Sequence, residues 1–343
     1  MANSDIYRSL CTHRYPQAVR QEIQDLRAFP GFYTLATSRF ISNVGNGISP
    51  IALAYGVLSL EGASGRDLSI VMAARFFPLI AFMLFGGVLA DRFQRNRLVG
   101  GSDMVGSFLA ATSAISLIVG FSSVWLLALM GALFGILNAI WWPAMSGVLP
   151  EIVPKEELQK GNAIIGLLTN IGYIVGTLLG GVIVSSAGAG WGLLIDALTF
   201  FTAGVIVWCL PILGKVKEKS PGILHDLRIG WREFISRSWV IALVFAFALI
   251  NMNFESLLSV LGPLNYNDPV TGPKHWSYNL AGLSFGMLIG GILILKAKLN
   301  RPLFLAVALI ALSGIWDLAL AFDFSIHWSV ISAFFAGIST EIF

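Results

Sequence analysis

Apolar runs, each about as long as a helix needs to cross a hydrocarbon core, alternate along this chain with short polar links. A helix rises about 1.5 Å per residue, so roughly 20 apolar residues span a bilayer. Such runs lie near 33–59, 68–90, 98–120, 124–147, 163–186, 191–213, 238–261, 276–295 and 303–322, and a tenth begins near 328 and runs on to Phe343. The pattern predicts an all-α integral membrane protein with the chain reversing at each link.

The links sort by charge. With the amino terminus inside, internal segments hold Arg8, Arg14, Arg20 and Arg27; Arg92, Arg95 and Arg97; Lys155 and Lys160; Lys215, Lys217, Lys219, Arg228, Arg232 and Arg237; and Lys296, Lys298 and Arg301. Only Arg66 and Lys274 fall outside, while Arg39 and Arg75 lie within spans. An excess of basic residues marks cytoplasmic loops. The expectation is a multi-pass protein of the cell membrane with a cytoplasmic amino terminus.

The longest internal polar segment, 214–237, divides the spans six and four. The chain thus reads as an N-terminal segment (1–32), a six-helix half (33–213), a cytoplasmic linker (214–237) and a partial second half of about four helices (238–343). Ile223, Leu227, Ile229 and Phe234 interleave with Asp226, Arg228 and Arg232, as in an interfacial helix. Val19, Ile23 and Leu26 recur at helical spacing after Pro16, so the N-terminal segment is either a short surface helix or a disordered tail; it lacks the apolar core of a signal peptide.

Composition agrees. The chain is 56% hydrophobic and 12% charged, against about 25% charged in soluble domains, and its mean hydropathy is +0.78. Thirty-six glycines suit helices that pack by close backbone approach in lipid. Cys11 and Cys209 both fall on the internal side, which predicts free thiols and gives no basis for a metal or redox site.

One link stands out. Gly86-Gly87-Val-Leu-Ala-Asp91-Arg92-Phe-Gln-Arg95-Asn-Arg97 crowds charge between two spans, where each arginine drawn into hydrocarbon would cost roughly 2.5–3.5 kcal/mol. It resembles the loop motif G-x-L-A-D-R-x-G-R-[KR] of the major facilitator superfamily, with Gln94 in place of the glycine and Asn96 intruding before the final base. Ala74-Arg75-Phe76-Phe77-Pro78 and the stretch from Trp142-Pro143-Ala144 through Leu149-Pro150-Glu151 to Asn162-Ala163 are similar to that family's drug and siderophore exporters, the macrolide-efflux and enterobactin-exporter type. Gly176-Thr177-Leu-Leu-Gly180-Gly181 stands where many antiporters have GPxxGG, and a helix without that proline bends less. The fourth span also lacks the arginine of many proton-coupled relatives. The resemblance implies the major facilitator fold with a complete first half and a C-terminally incomplete second, because the family has twelve spans. It also implies that Gly86, Gly87, Asp91, Arg92, Arg95 and Arg97 form a conformational latch, with Asp103 close enough to pair with its arginines.

Small residues recur at every fourth position in Gly172, Gly176 and Gly180, followed by Gly181, and again in Gly282, Gly286 and Gly290. These stripes form either one rocking interface between spans five and eight or ordinary packing within a half. Charges inside spans are functional candidates. Glu255 and Glu341 are candidate proton or cation carriers, with a structural hydrogen bond the rival for Glu255. Arg75 is expected to pair with an acid such as Asp67 or to meet a cavity, Arg39 to snorkel, and Asp196 to favour a helix amino terminus. Asp317 reads as a solvated surface group. Asn43 and Asn46, three apart on one helix face, could join Asn170 and Asn251 as polar contacts of a mostly apolar cavity or form interhelical hydrogen bonds. Trp141, Trp142 and Phe245 suit a flat, greasy substrate or a membrane boundary.

The leading expectation is secondary active export of an amphipathic small molecule, a drug, macrolide or siderophore, coupled to protons by alternating access. The partners are then that substrate, protons and the lipid bilayer, with no cofactor, no metal and no nucleic acid, and the protein a monomer. Lipid or lysophospholipid transport by the same fold and a truncated, non-functional fragment are the alternatives. A membrane-embedded transferase would need clustered His, Asp or Glu, but His13, His225, His275 and His327 are scattered. No G-x-x-x-x-G-K-[ST] loop supports an ATP-driven pump.

Overall fold

A computed structural model describes Leu26, residues 29–211, Arg232, 234–296 and 302–342, without the side chains of 294–296, 302–308, 310–312 and 342. The expected surface helix after Pro16 and the interfacial helix of the linker lie outside these residues. Ten long helices follow in order: α1 (Phe32–Leu58), α2 (Gly65–Arg92), α3 (Arg95–Val119), α4 (Val124–Ser146), α5 (Leu158–Ala187), α6 (Ala189–Trp208), α7 (Ser238–Ser256), α8 (Gly272–Lys296), α9 (Pro302–Ala321) and α10 (Ile326–Ile342). Among the described residues, seven helical segments, containing α2 to α8, are long and apolar enough to cross a membrane.

Helix ends follow local chemistry. α2 starts three residues before its apolar run because Ser64 and Asp67 form a capping box, Asp67 Oδ2 accepting from the Ser64 backbone N–H at 2.9 Å. Left-handed Gly120 (φ 85°) ends α3, a conformation that costs glycine little. α7 runs on through a π-helical turn at Leu257–Leu261 into Gly262–Asn265, so it is longer than its apolar run. Such turns often stand near functional residues, and this one begins just past Ser256, the residue after Glu255.

The glycine stripes pack within each group of helices. A Cβ at Gly176 would collide with the Val44 carbonyl, and one at Gly47 with the Tyr173 carbonyl, so α1 and α5 meet backbone to backbone. Gly172 and Gly180 likewise face Phe40 and Ile48 of α1. On α8, Gly282, Gly286 and Gly290 face Val330, Phe334 and Ile338 of α10. Of the two alternatives the stripes take packing within each group: fourfold spacing marks the face in use, and the facing carbonyls identify α1 and α10 as its neighbours, while α5 and α8 meet through other residues. Gly181 alone of the named glycines looks onto α8, against Ser277. Gly176→Leu is expected to lose about 1–3 kcal/mol by overpacking and to melt several degrees lower in detergent. Gly87→Ala, whose Cβ meets nothing within 4 Å, should melt with the parent.

Two cores form at opposite ends. Toward the charged loop, Phe32, Leu35, Ala90, Val99, Trp141, Ala144, Leu149 and Val207 make a core drawn only from the first six helices and their links. At the far end, Ile48, Ile51, Leu68, Val71 and Leu193 share one core with Leu257, Trp276, Leu280, Trp316 and Ala333. There the Tyr55 hydroxyl donates to the Tyr266 carbonyl at 2.7 Å, and a Cβ on Gly65 would abut Leu264. By contrast, no residue of Ser238–Ser256 is buried. The two helix groups are joined at the far end and part toward the loop.

Candidate functional site

Between these ends lies a cavity of about 400 Å³, within the range of small-molecule sites. Arg39, Asn43 and Asn46 stand on α1, spaced along about 10 Å of helix axis, and Arg75 on α2. Ser102 and Asp103 come from α3, five residues from Phe134 to Trp142 from α4, and Tyr173 and Phe200 from α5 and α6. Glu255 is the one lining residue from α7. The aromatic faces of Phe134, Trp141, Trp142, Tyr173 and Phe200 share the wall with amides and charges.

Each arginine is supported in the same way. The Arg39 guanidinium stands 4.6 Å above the Trp141 ring and Arg75 stands 4.8 Å above Phe134, contacts that desolvation strengthens. Behind each lies a nearly inaccessible acid. Asp103 is 3% exposed with Arg39 as its facing charge, and Asp196 is 1% exposed facing Arg75. Arg75 also faces Glu255. A side chamber of about 40 Å³, lined by Ser49, Arg75, Ser113 and Asp196, adjoins the cavity at Arg75.

Several expectations change here. Arg39 faces the cavity and an acid instead of snorkelling. Asp103 lines the cavity with Arg39 as its facing charge and does not join the loop arginines, because α3 turns it toward α1 and α4. Asp196 is an interior acid instead of a helix-end charge, and Arg75 meets Asp196 and Glu255, while Asp67 is engaged in its capping box. Asn170 and Asn251 fall outside the cavity lining; Asn251 donates to the Phe247 carbonyl of its own helix at 2.8 Å. Glu341 packs against Gly290 and Gly291 of α8. Asp317 accepts from Asn253 Nδ2 at 3.0 Å, tying α9 to α7. Asn138 and Tyr173 were not anticipated; a single polar or aromatic residue inside an apolar run carries no signal of its direction.

The charged loop makes its own small network. Arg95 reaches Asp91 at 3.7 Å and Glu151 at 3.3 Å, and its Nη1 donates to the Gly147 carbonyl at 3.2 Å. It thereby joins the α2–α3 turn to the link after α4. Arg97 lies 5.9 Å from the Trp208 ring, and Gly86 allows α2 to approach the Ala139 carbonyl of α4.

A profile described as Major Facilitator Superfamily matches residues 35–343. The chain is 27% identical over 292 residues to Macrolide efflux protein A of Streptococcus pyogenes, covering 83% of this chain and 71% of that one. It is 24% identical over 312 residues to Enterobactin exporter EntS of Escherichia coli O1:K1, covering 85% and 72%. Its fold is similar to that of nucleoside transporter NupG, with a TM-score of 0.70 at 14% identity, covering 91% of this chain and 79% of that one. Helices joined at one end around a central cavity, and a family match over most of the length, lead to one conclusion: the chain belongs to the major facilitator superfamily of multi-pass membrane transporters.

Proposed function

We propose that this protein exports an amphipathic small molecule with an aromatic or greasy face across the cell membrane, in exchange for protons. The observation that carries the reading is the cavity: its volume suits one such molecule, five aromatic side chains line it, and Asn43, Asn46 and Asn138 supply polar contacts. Efflux as the direction rests on likeness to proteins named as a macrolide efflux protein and an enterobactin exporter. The basic loops support a cytoplasmic charged-loop side. The cavity then loads from the cytoplasm, and rocking of α1–α6 against α7–α10 exposes it to the far side. The network of Asp91, Arg95 and Glu151 acts as a latch remote from the substrate, with Arg92, Arg97, Gly86 and Gly87 completing it. The protein works as a monomer.

Everted membrane vesicles carrying the protein should accumulate erythromycin or ethidium while a proton gradient stands and release it on addition of an uncoupler. Equal accumulation with and without the protein for both probes overturns export of this substrate class. Accumulation that survives the uncoupler overturns proton exchange.

A further inference from the structure

The two arginines of the cavity keep their hydrogen-bond donors free. A guanidinium carries five N–H groups in a planar fork, and Arg95 in the charged loop engages its own with Asp91, Glu151 and the Gly147 carbonyl. Arg39 and Arg75, both half-buried, have no carboxylate oxygen within 4.0 Å and donate no hydrogen bond among the described residues. Each is held by the ring beneath it, which supplies no acceptor oxygen. Those rings, Trp141 and Phe134, stand seven residues apart on α4, about 10 Å along its axis, so the two guanidiniums mark different levels of the cavity. At the Arg75 level two acids, Asp196 and Glu255, face the cation, and the adjoining chamber of about 40 Å³ is suited only to water. At the Arg39 level one acid faces it, Asp103, which is 3% exposed and sunk behind the wall. There Trp141 meets Trp142 edge to face at 5.3 Å, and Trp142 lines the cavity while 57% exposed. Asn43, one turn along α1, gives a side-chain N–H to the Arg39 carbonyl at 2.7 Å, and Asn138 gives one to the Phe134 carbonyl at 3.1 Å. The strong donors left for a ligand at this corner are those of Arg39.

We propose that this corner is an anion subsite, and that the exported molecule is an aromatic acid whose carboxylate, sulfonate or phosphate group sits on the Arg39 guanidinium with its rings against Trp141 and Trp142. This names the substrate class within the export reading, on which it rests. A planar fork matches the paired oxygens of such a group, and the indoles strengthen the attraction by keeping water from it. Asp103 spares Arg39 from standing as a lone cation in the wall, yet lies too far back to fill the fork. Glu255 adds a second like charge at the Arg75 level, which turns the acid group toward Arg39. The cavity of about 400 Å³ takes a fused-ring acid and is too small for a two-chain lipid.

Matched probes test this by binding alone. Dansylglycine and dansylamide share one ring system, and only the first carries a carboxylate. Energy transfer from tryptophan to the dansyl group reports their binding to the protein in phosphatidylcholine nanodiscs, with protein-free discs as the blank. Dansylglycine should bind at least about tenfold more tightly than dansylamide. Arg39→Gln should weaken dansylglycine at least about tenfold and leave dansylamide within about twofold, while Arg39→Lys, which keeps a charge opposite Asp103 and loses the fork, should fall between. Arg66→Gln, a basic residue away from the cavity, should bind both as the parent does. In the parent itself, 2-naphthoate should displace dansylglycine at concentrations at least about tenfold below those of 2-naphthamide, a result that stands even where melting shows an Arg39 variant to be unfolded. Equal affinity for the two dansyl probes overturns the proposal, as does a folded Arg39→Gln protein that keeps the preference, or loss of the preference in Arg75→Gln alone. Displacement by octyl phosphate as effective as that by 2-naphthoate would give the subsite to lipid-like anions and overturn the aromatic acid. Accumulation of erythromycin or ethidium by vesicles is read separately, so this proposal and the export reading fail separately.

Discussion

Arg39→Met is expected to lower stability by about 1–3 kcal/mol, because a buried carboxylate loses the cation that faces it. The reason is Asp103. It is 3% exposed, and Arg39 is the charge that faces it. Removing Arg39 leaves a carboxylate among Trp141, Phe134 and α3 with no cation near it, and protonation of the acid caps the loss without abolishing it. The stacked contact with Trp141 at 4.6 Å goes as well, worth about 0.5–2 kcal/mol depending on desolvation. Asp103→Leu added to Arg39→Met should recover most of the loss, since the acid left without a facing cation is then replaced by an apolar group. A double-mutant cycle read by thermal unfolding in one detergent measures the coupling. If the double variant melts as low as Arg39→Met alone, Asp103 does not depend on Arg39.

The helices were legible because each apolar run ends in charge, glycine or proline, and bilayer thickness fixes how long a run must be. Where the ends shifted, local chemistry decided: Ser64 and Asp67 carry α2 upstream of its apolar run, and a π turn carries α7 beyond its own. The cavity was half legible. Asn43, Asn46, Arg75 and Glu255 stand out in sequence as polar groups inside apolar runs, and all four line it. Asn170, Asn251 and Glu341 stand out equally and do not, because polarity shows that a residue needs a partner without showing which way its helix turns it. Asp103 was assigned by proximity to the loop. Eight residues beyond Arg95 it lies about 12 Å along the axis, out of reach of that network and in reach of α1. The glycine stripes misled in the same manner, for a period of four names a face and never the neighbour.

The far-end junction yields a prediction of similar size. Asn279 is fully buried, and its Oδ1 accepts from Trp316 Nε1 at 3.1 Å and from the Ser329 hydroxyl at 2.6 Å, while its Nδ2 donates to the His275 carbonyl at 3.0 Å. The Tyr266 hydroxyl donates to Ser329 Oγ at 3.0 Å, and the Tyr266 carbonyl takes the Tyr55 hydroxyl from α1. One amide thus organises α8, α9 and α10, and the chain after α7 carries that order to α1. Asn279→Leu strands two buried donors at about 1–3 kcal/mol each, so a loss of about 2–6 kcal/mol is expected. Tyr55→Phe removes only the last link, worth about 1 kcal/mol, but that link crosses between the helix groups. Closure there is already opposed, since fully buried Trp276 stacks on Trp316 at 5.9 Å while its Nε1 lacks a partner among the described residues. About 1 kcal/mol changes the ratio of closed to open roughly fivefold. Asn279→Leu should therefore melt well below the parent, whereas Tyr55→Phe should melt close to it and instead lengthen the distance between spin labels at Ser69 and Val270. A Tyr55→Phe protein with the parent's distance distribution would show that the Tyr55 hydroxyl does not hold the far end shut.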